Sequence, residues 1–242
     1  DDHVQLTLHH LDLRDLGTAV SRVRRLLDLD ADIEAIDVAL FDGPLGALVR
    51  AAPGVRVPGS CDPFASVVST MVGQQISTAA ARTHLARLVA ELGEPTPWTS
   101  EDDPVRRFPT PAAIAESGAD VLRGPRRRID AIVAIARAVA DGEMELHAGV
   151  AASDLRVALL ARPGIGTWTA DYLTMTVAGD PDILLDTDLV VRNAAAQLGV
   201  GPEEGVGVGV GGDLDVGERK DAPRRRLHGG GFAGVEAVRS EE

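Results

Sequence analysis

The sequence predicts a mainly α-helical fold, with a remnant strand at the amino end and an irregular tail at the carboxyl end. Three observations carry this prediction. Apolar residues recur at helical spacing through most of residues 16–198, and no stretch there sustains the alternation of a half-buried strand. Residues 1–14 do alternate, with Val4, Leu6 and Leu8 on one side. After Leu198 the helical pattern gives way to a run rich in Gly and charge. At 242 residues the chain can form one large domain or two small ones with a real core.

The elements follow in order. From Leu16, a helical period runs through Ala19-Val20, Val23 and Leu26-Leu27, and residues 28–32 break it. Short helices are expected over 34–41 and 44–51, followed by a loop punctuated by Pro53-Gly54 and Pro58-Gly59. A helix starting at Phe64 stops at Gly73, and Ser77 or Thr78 can cap the next, over 79–92. Later helices are expected at 111–117, 128–140, 152–161, 167–178 and 188–198. Residues 1–15 thus read as a remnant strand, 16–199 as a helical domain and 200–242 as a low-complexity, disordered tail.

Composition narrows the function. No stretch approaches the roughly 20 apolar residues of a membrane span, and no signal peptide is expected from the opening residues. The net charge of −13 argues against binding nucleic acid by bulk electrostatics, yet it permits a few local contacts through backbone N–H groups and helix N-termini. Cys61 is the only cysteine, which excludes a disulfide framework, a zinc cluster and a four-cysteine iron–sulfur cluster. Lys220 is the only lysine, so Schiff-base chemistry would rest on it or on the terminal amine.

The richest stretch is Pro163-Gly164-Ile165-Gly166, set between two helix-forming segments. Two glycines around Ile165 allow a tight turn and a close backbone approach to a ligand, and the helix that follows aims its free N–H groups at an anion. Alone, the four residues read equally well as an ordinary helix–turn–helix corner. Trp168 and Tyr172 lie four apart on one helix face in a chain with 3% aromatics. They suit a core stripe or a stacking wall. Asp188 precedes an apolar run, where it serves as a helix N-cap or as a carboxylate able to stabilise a sugar cation or activate water. The six histidines form no metal-site spacing.

The run from Pro163 to Ala170, with Thr187-Asp188-Leu189-Val-Val-Arg192, resembles the helix–hairpin–helix glycosylase superfamily (HhH-GPD), in its bacterial 3-methyladenine DNA glycosylase II (AlkA) branch. Asp62-Pro63-Phe64, Gly73-Gln74-Gln75-Ile76-Ser77, Ala79-Ala80-Ala81-Arg82-Thr83, Phe108-Pro109-Thr110-Pro111 and Asp141-Gly142 match in the same order, over roughly residues 10–198. The resemblance implies a HhH-GPD helical fold and a glycosylase of base excision repair that acts on alkylated bases in double-stranded DNA after base flipping. It implies Asp188 as the catalytic aspartate and Trp168 and Tyr172 as the base pocket. Gly164, Ile165, Gly166 and Thr169 would bind DNA, the hairpin with room for a monovalent cation, and Gln75 would be a polar wedge where relatives insert an apolar one. Met71 and Phe64 suit the pocket or the core. Arg123, Arg126, Arg127 and Arg128 fall between expected helices, either as phosphate contacts or as a solvated loop.

Relatives that also cut the backbone carry a lysine just after the hairpin, where this chain has Thr167-Trp168; the expectation is therefore a monofunctional glycosylase. No iron–sulfur cluster or zinc is expected. The resemblance further implies a monomer in the bacterial cytoplasm, at the nucleoid. Two departures stand against it: most of the family's amino-terminal α/β subdomain is missing, and residues 201–242 lack its Trp/Arg-rich closing helix. They keep open a non-catalytic hairpin module that binds DNA, or an inactive truncated or frameshifted fragment.

Overall fold

Residues 3–9, 11–97 and 105–199 are described by the computed structural model. Residues 1–21 fall in one compact unit, and residues 22–199 in another. In the first, residues 3–8 have no regular secondary structure, and Leu13–Asp15 forms a 3₁₀ turn in which the Arg14 N–H donates to the Asp12 carboxylate at 2.9 Å. The remnant strand expected at 1–15 is therefore not formed among the described residues. Alternation assigns side chains to faces, but a strand also needs a neighbouring backbone, and the β-pairing described is a single isolated bridge, Pro95 to Arg106. The tail at 200–242 lies outside the described residues.

Helix α1 (Leu16–Leu26) leads into α2 (Ile33–Phe41) and α3 (Gly46–Ala51). Four further helices make the body of the second unit: α4 (Pro63–Gly73), α5 (Thr78–Leu92), α6 (Pro111–Val121) and α7 (Arg126–Ala140). Their starts follow local chemistry. Asp62 accepts the Ala65 N–H at 3.0 Å, with Pro63 in the first helical turn, where its missing N–H costs nothing. Ser77 caps α5 through the Ala80 N–H at 3.2 Å, and Thr110 caps α6 through Ala113 at 3.2 Å.

The core gathers Val67 and Met71 of α4, Ile114 of α6, and Ile132 and Ile135 of α7. Leu155 and Leu159 of α8 (Ala152–Leu160) and Leu173 of α9 (Thr167–Leu173) complete it. Helix α4 touches both α7 and α9, which makes it the strut against which the hairpin between α8 and α9 is set.

Two boundaries differ from expectation. Helix α7 starts at Arg126, so Arg126, Arg127 and Arg128 form its first turn and do not lie in a loop. The apolar period that marks a buried face begins only at Ile129, and a first turn that faces solvent carries no such signal. The helix expected over 167–178 is α-helical to Leu173 and then widens into a π-helical turn at Thr174–Ala178. There the Thr174 and Thr176 hydroxyls donate to the Ala170 and Tyr172 carbonyls at 2.8 Å each. The last helix, α10 (Leu189–Gln197), begins directly after Asp188.

Candidate active site

The hairpin is built from inside outward. Gly164 has φ +82°, and a Cβ added to it would stand 2.9 Å from the Ala131 Cβ, so both conformation and space require glycine. Ile165 is 7% exposed and its N–H donates to the Arg162 carbonyl at 3.3 Å. Its side chain anchors the turn in the core. Gly166 is the extended N-cap of α9, with no capping side chain and open space where a Cβ would be. The leading N–H groups of α9 are therefore uncapped by a side chain in front of a bare backbone, which is the arrangement that accepts an oxyanion. Thr169 sits one turn in. It is 4% exposed and its hydroxyl accepts from Gln74 Nε2 at 3.2 Å, so its side chain braces the hairpin from within.

On the outer face of α9, Trp168 and Tyr172 stack with ring centroids 5.3 Å apart and planes 3° from parallel. Both are half-buried, and Tyr172 also borders a cleft of about 410 Å³ with Ser66, Thr70, Cys61 and Thr176. The two rings form one continuous aromatic wall.

Asp188 meets that wall. Trp168 Nε1 donates to Asp188 Oδ2 at 2.7 Å, and the Val190 and Val191 N–H groups donate to Oδ1 at 2.7 and 3.1 Å. The Val191 N–H does most to hold the carboxyl below the usual carboxylate range. The Trp168 indole and the Val190 N–H add to this, against partial burial, which pushes the other way. Asp188 thus caps α10 through Oδ1 and meets the aromatic wall through Oδ2.

Gln75 is exposed at the tip of the turn between α4 and α5, in the left-handed region at φ +59°. Met71 and Phe64 are core residues, and Phe64 packs edge-on to Phe108 at 6.3 Å. The arginine group separates. Arg123 donates to the Asp120 and Leu122 carbonyls, Arg126 pairs with Asp130 at 2.9 Å, and Arg128 donates to the Val72 and Gln74 carbonyls at 2.9 and 2.7 Å. Arg127 is exposed on the first turn of α7.

Comparison with known proteins places this geometry. The AlkA N-terminal domain profile matches residues 1–62, which include α1–α3 and end at Asp62, the cap of α4. A Mycobacterium tuberculosis protein, the probable bifunctional transcriptional activator/DNA repair enzyme AlkA, is 43% identical over 200 residues, covering 82% of this chain and 40% of that protein. Escherichia coli DNA-3-methyladenine glycosylase 2 is 29% identical over 177 residues, covering 72% of this chain and 60% of its own length. The solved 3-methyladenine DNA glycosylase of Archaeoglobus fulgidus superposes with a TM-score of 0.65 at 25% identity, over 78% of this chain and 65% of that one. The chain is thus similar to AlkA-type proteins in sequence and to a 3-methyladenine DNA glycosylase in fold. It spans 40% of the length of the Mycobacterium relative and 60% of that of the Escherichia relative.

Within the site, three contributions escaped the sequence reading. Gln74 Nε2 donates to the Gly164 carbonyl at 3.3 Å as well as to Thr169. Arg128 serves the turn before Gln75, and the Trp168 indole N–H serves Asp188. These bonds span separations of 90, 54 and 20 residues, for which no local pattern exists. Among the described residues no cluster of His, Cys, Asp and Glu could hold a metal ion, and no helix is long and apolar enough to cross a membrane.

Proposed function

We propose that this chain is a monofunctional glycosylase of base excision repair that hydrolyses the N-glycosidic bond of alkylated, 3-methyladenine-type bases in double-stranded DNA. The observation that carries the reading is Asp188, fixed as an anion by three N–H donors and hydrogen-bonded to one ring of a stacked aromatic pair. A non-catalytic hairpin needs no such group.

The chemistry follows from the placement. Backbone N–H groups after Gly166 take a phosphate, and Gln75 enters the duplex as the damaged nucleotide rotates out, at a cost of a few kcal/mol of unstacking. The extruded base stacks on the Trp168–Tyr172 wall, about 1–3 kcal/mol per base, and an alkylated purine gains further because its positive charge faces an electron-rich ring. The C1′–N bond breaks with its electron pair leaving on the base, which neutralises the base's charge. Asp188 stabilises the oxocarbenium ion that forms, and water adds at C1′ with loss of a proton. All three donors to Asp188 lower its basicity, so its work is electrostatic. Lys220, the chain's only lysine, stands far outside this group in sequence, which supports glycosylase chemistry without backbone cleavage. The Arg162 carbonyl accepts the Ile165 N–H and the Gly164 carbonyl accepts Gln74 Nε2, and a carbonyl oxygen has two lone pairs, which fits a monovalent cation at the hairpin. The reading extends to a monomer that works on DNA in the cytoplasm.

Base release from methylated duplex tests it. Asp188→Asn keeps an Oδ1 acceptor for the α10 cap, so the fold stays, while release falls by about 10²–10³-fold and binding to abasic DNA persists. Undiminished release by the variant would falsify the assignment of Asp188, and binding without release in the wild type would favour a binding module.

A further inference from the structure

We propose that Gln74 and Arg128 are positioning residues that lock the Gln75 turn to the hairpin, so that wedge and phosphate anchor meet DNA as one rigid unit. The inference rests on the DNA-binding reading above. It begins with a cost: Gln75 holds φ +59° with an exposed side chain, a conformation that a non-glycine residue keeps only where its surroundings impose it. The surroundings are on either side of Gln74. Its carbonyl accepts Arg128 Nη1 at 2.7 Å, and the same nitrogen reaches the Val72 carbonyl at 2.9 Å, one of the carbonyls that the end of α4 leaves without a helical partner. Its side-chain amide donates to the Gly164 carbonyl and to the Thr169 hydroxyl. Three elements, α4, α7 and the hairpin, converge on the residue directly before the wedge.

Two further features serve this clamp. Because α7 begins at Arg126, Arg128 stands in its first turn and can reach the end of α4. Gly124, at φ +128°, lies where any Cβ would come within 3.1 Å of the Arg128 guanidinium. One charged nitrogen that donates to both carbonyls ties the end of α4 to the turn.

The test separates positioning from plain stability. Wild type, Gln75→Ala, Arg128→Met, Arg128→Lys and Gln74→Ala are compared on a duplex that carries a stable abasic analogue beside 2-aminopurine, whose fluorescence rises when its neighbours unstack. Wild type is expected to raise the signal. Gln75→Ala and Arg128→Met are expected to bind within about threefold of wild type yet lose most of the rise, and Arg128→Lys to recover part of it. On alkylated duplex, Arg128→Met should slow single-turnover release about tenfold when the lesion is paired, and within about twofold when it faces an abasic gap that leaves little to unstack. Equal losses on both substrates, or a full fluorescence rise in Arg128→Met, overturn the proposal. If Arg128→Met does not fold, Gln74→Ala, which removes only the hairpin bonds, carries the same expectation. A wild type that releases no base while the fluorescence pattern holds removes the activity reading and leaves the clamp standing.

Discussion

The hairpin at 163–166 is held by packing, whereas Asp188, at the mouth of α10, is held by hydrogen bonds. Around the hairpin, Ile165, Thr169, Ala170 and Leu173 are all buried, and the turn rests on Met71 and Ala131. Helix α10 has no buried residue, and Leu189 and Val190 next to the aspartate are 71% and 76% exposed. In the proposed role of phosphate anchor, the hairpin would have to resist the pull of a duplex, and a core provides that resistance. A carboxylate that only needs a fixed direction and a fixed charge can be aimed by three short donors. The anchor should therefore fail through stability, and the aspartate through electrostatics.

The largest effect is expected at Ile165. Ile165→Ala removes a buried side chain from the root of the turn and should cost about 2–5 kcal/mol in denaturant unfolding, with DNA binding lost alongside. A loss under about 1 kcal/mol would show that the hairpin is not held by the core. Gly164→Ala comes next. Its left-handed φ and the 2.9 Å approach to Ala131 should together cost about 1–3 kcal/mol, and the displaced turn should weaken binding to abasic duplex. Wild-type affinity in a folded Gly164→Ala protein would detach the turn from DNA.

How much of this was legible depends on distance along the chain. Ser77 announced its helix because a cap acts within three residues. The Pro163–Gly166 turn, Trp168, Tyr172 and Asp188 were visible as residue types at telling spacings. The first turn of α7 was not, because its three arginines lack the apolar period that identifies a helix and Pro125 before them reads as a loop residue. Thr169 was legible as part of the hairpin but not as a buried brace, since that role depends on Gln74, 95 residues away. The amino-terminal alternation predicted a strand, but residues 3–8 form no ladder, for want of a partner.

Trp168→Phe probes the aspartate. Phenylalanine keeps a ring against Tyr172 but removes the donor to Asp188 Oδ2. The carboxyl should move back toward its ordinary range, held still by the Val191 and Val190 N–H groups. The sign is fixed by linkage. A depressed folded-state pKa contributes stability above the unfolded pKa, and that contribution is lost as pH falls through the folded value. Removing the indole narrows this window from below, so release should lose its acid limb at a higher pH than in wild type. An unmoved limb would mean that the two backbone donors alone set the charge.

The smallest effect is expected where the comparison is sharpest. Leu189 and Val190 are apolar and flank the catalytic candidate, so a sequence view would place them in the core. Their exposure argues that α10 stands on its cap and on Trp168. Leu189→Ser and Val190→Ser leave the backbone donor of Val190 in place and should each shift unfolding by no more than about 0.5 kcal/mol, with release from methylated DNA unchanged. A cost of about 2 kcal/mol or more would reveal a covering surface on α10 and would make packing, as at the hairpin, part of what aims Asp188.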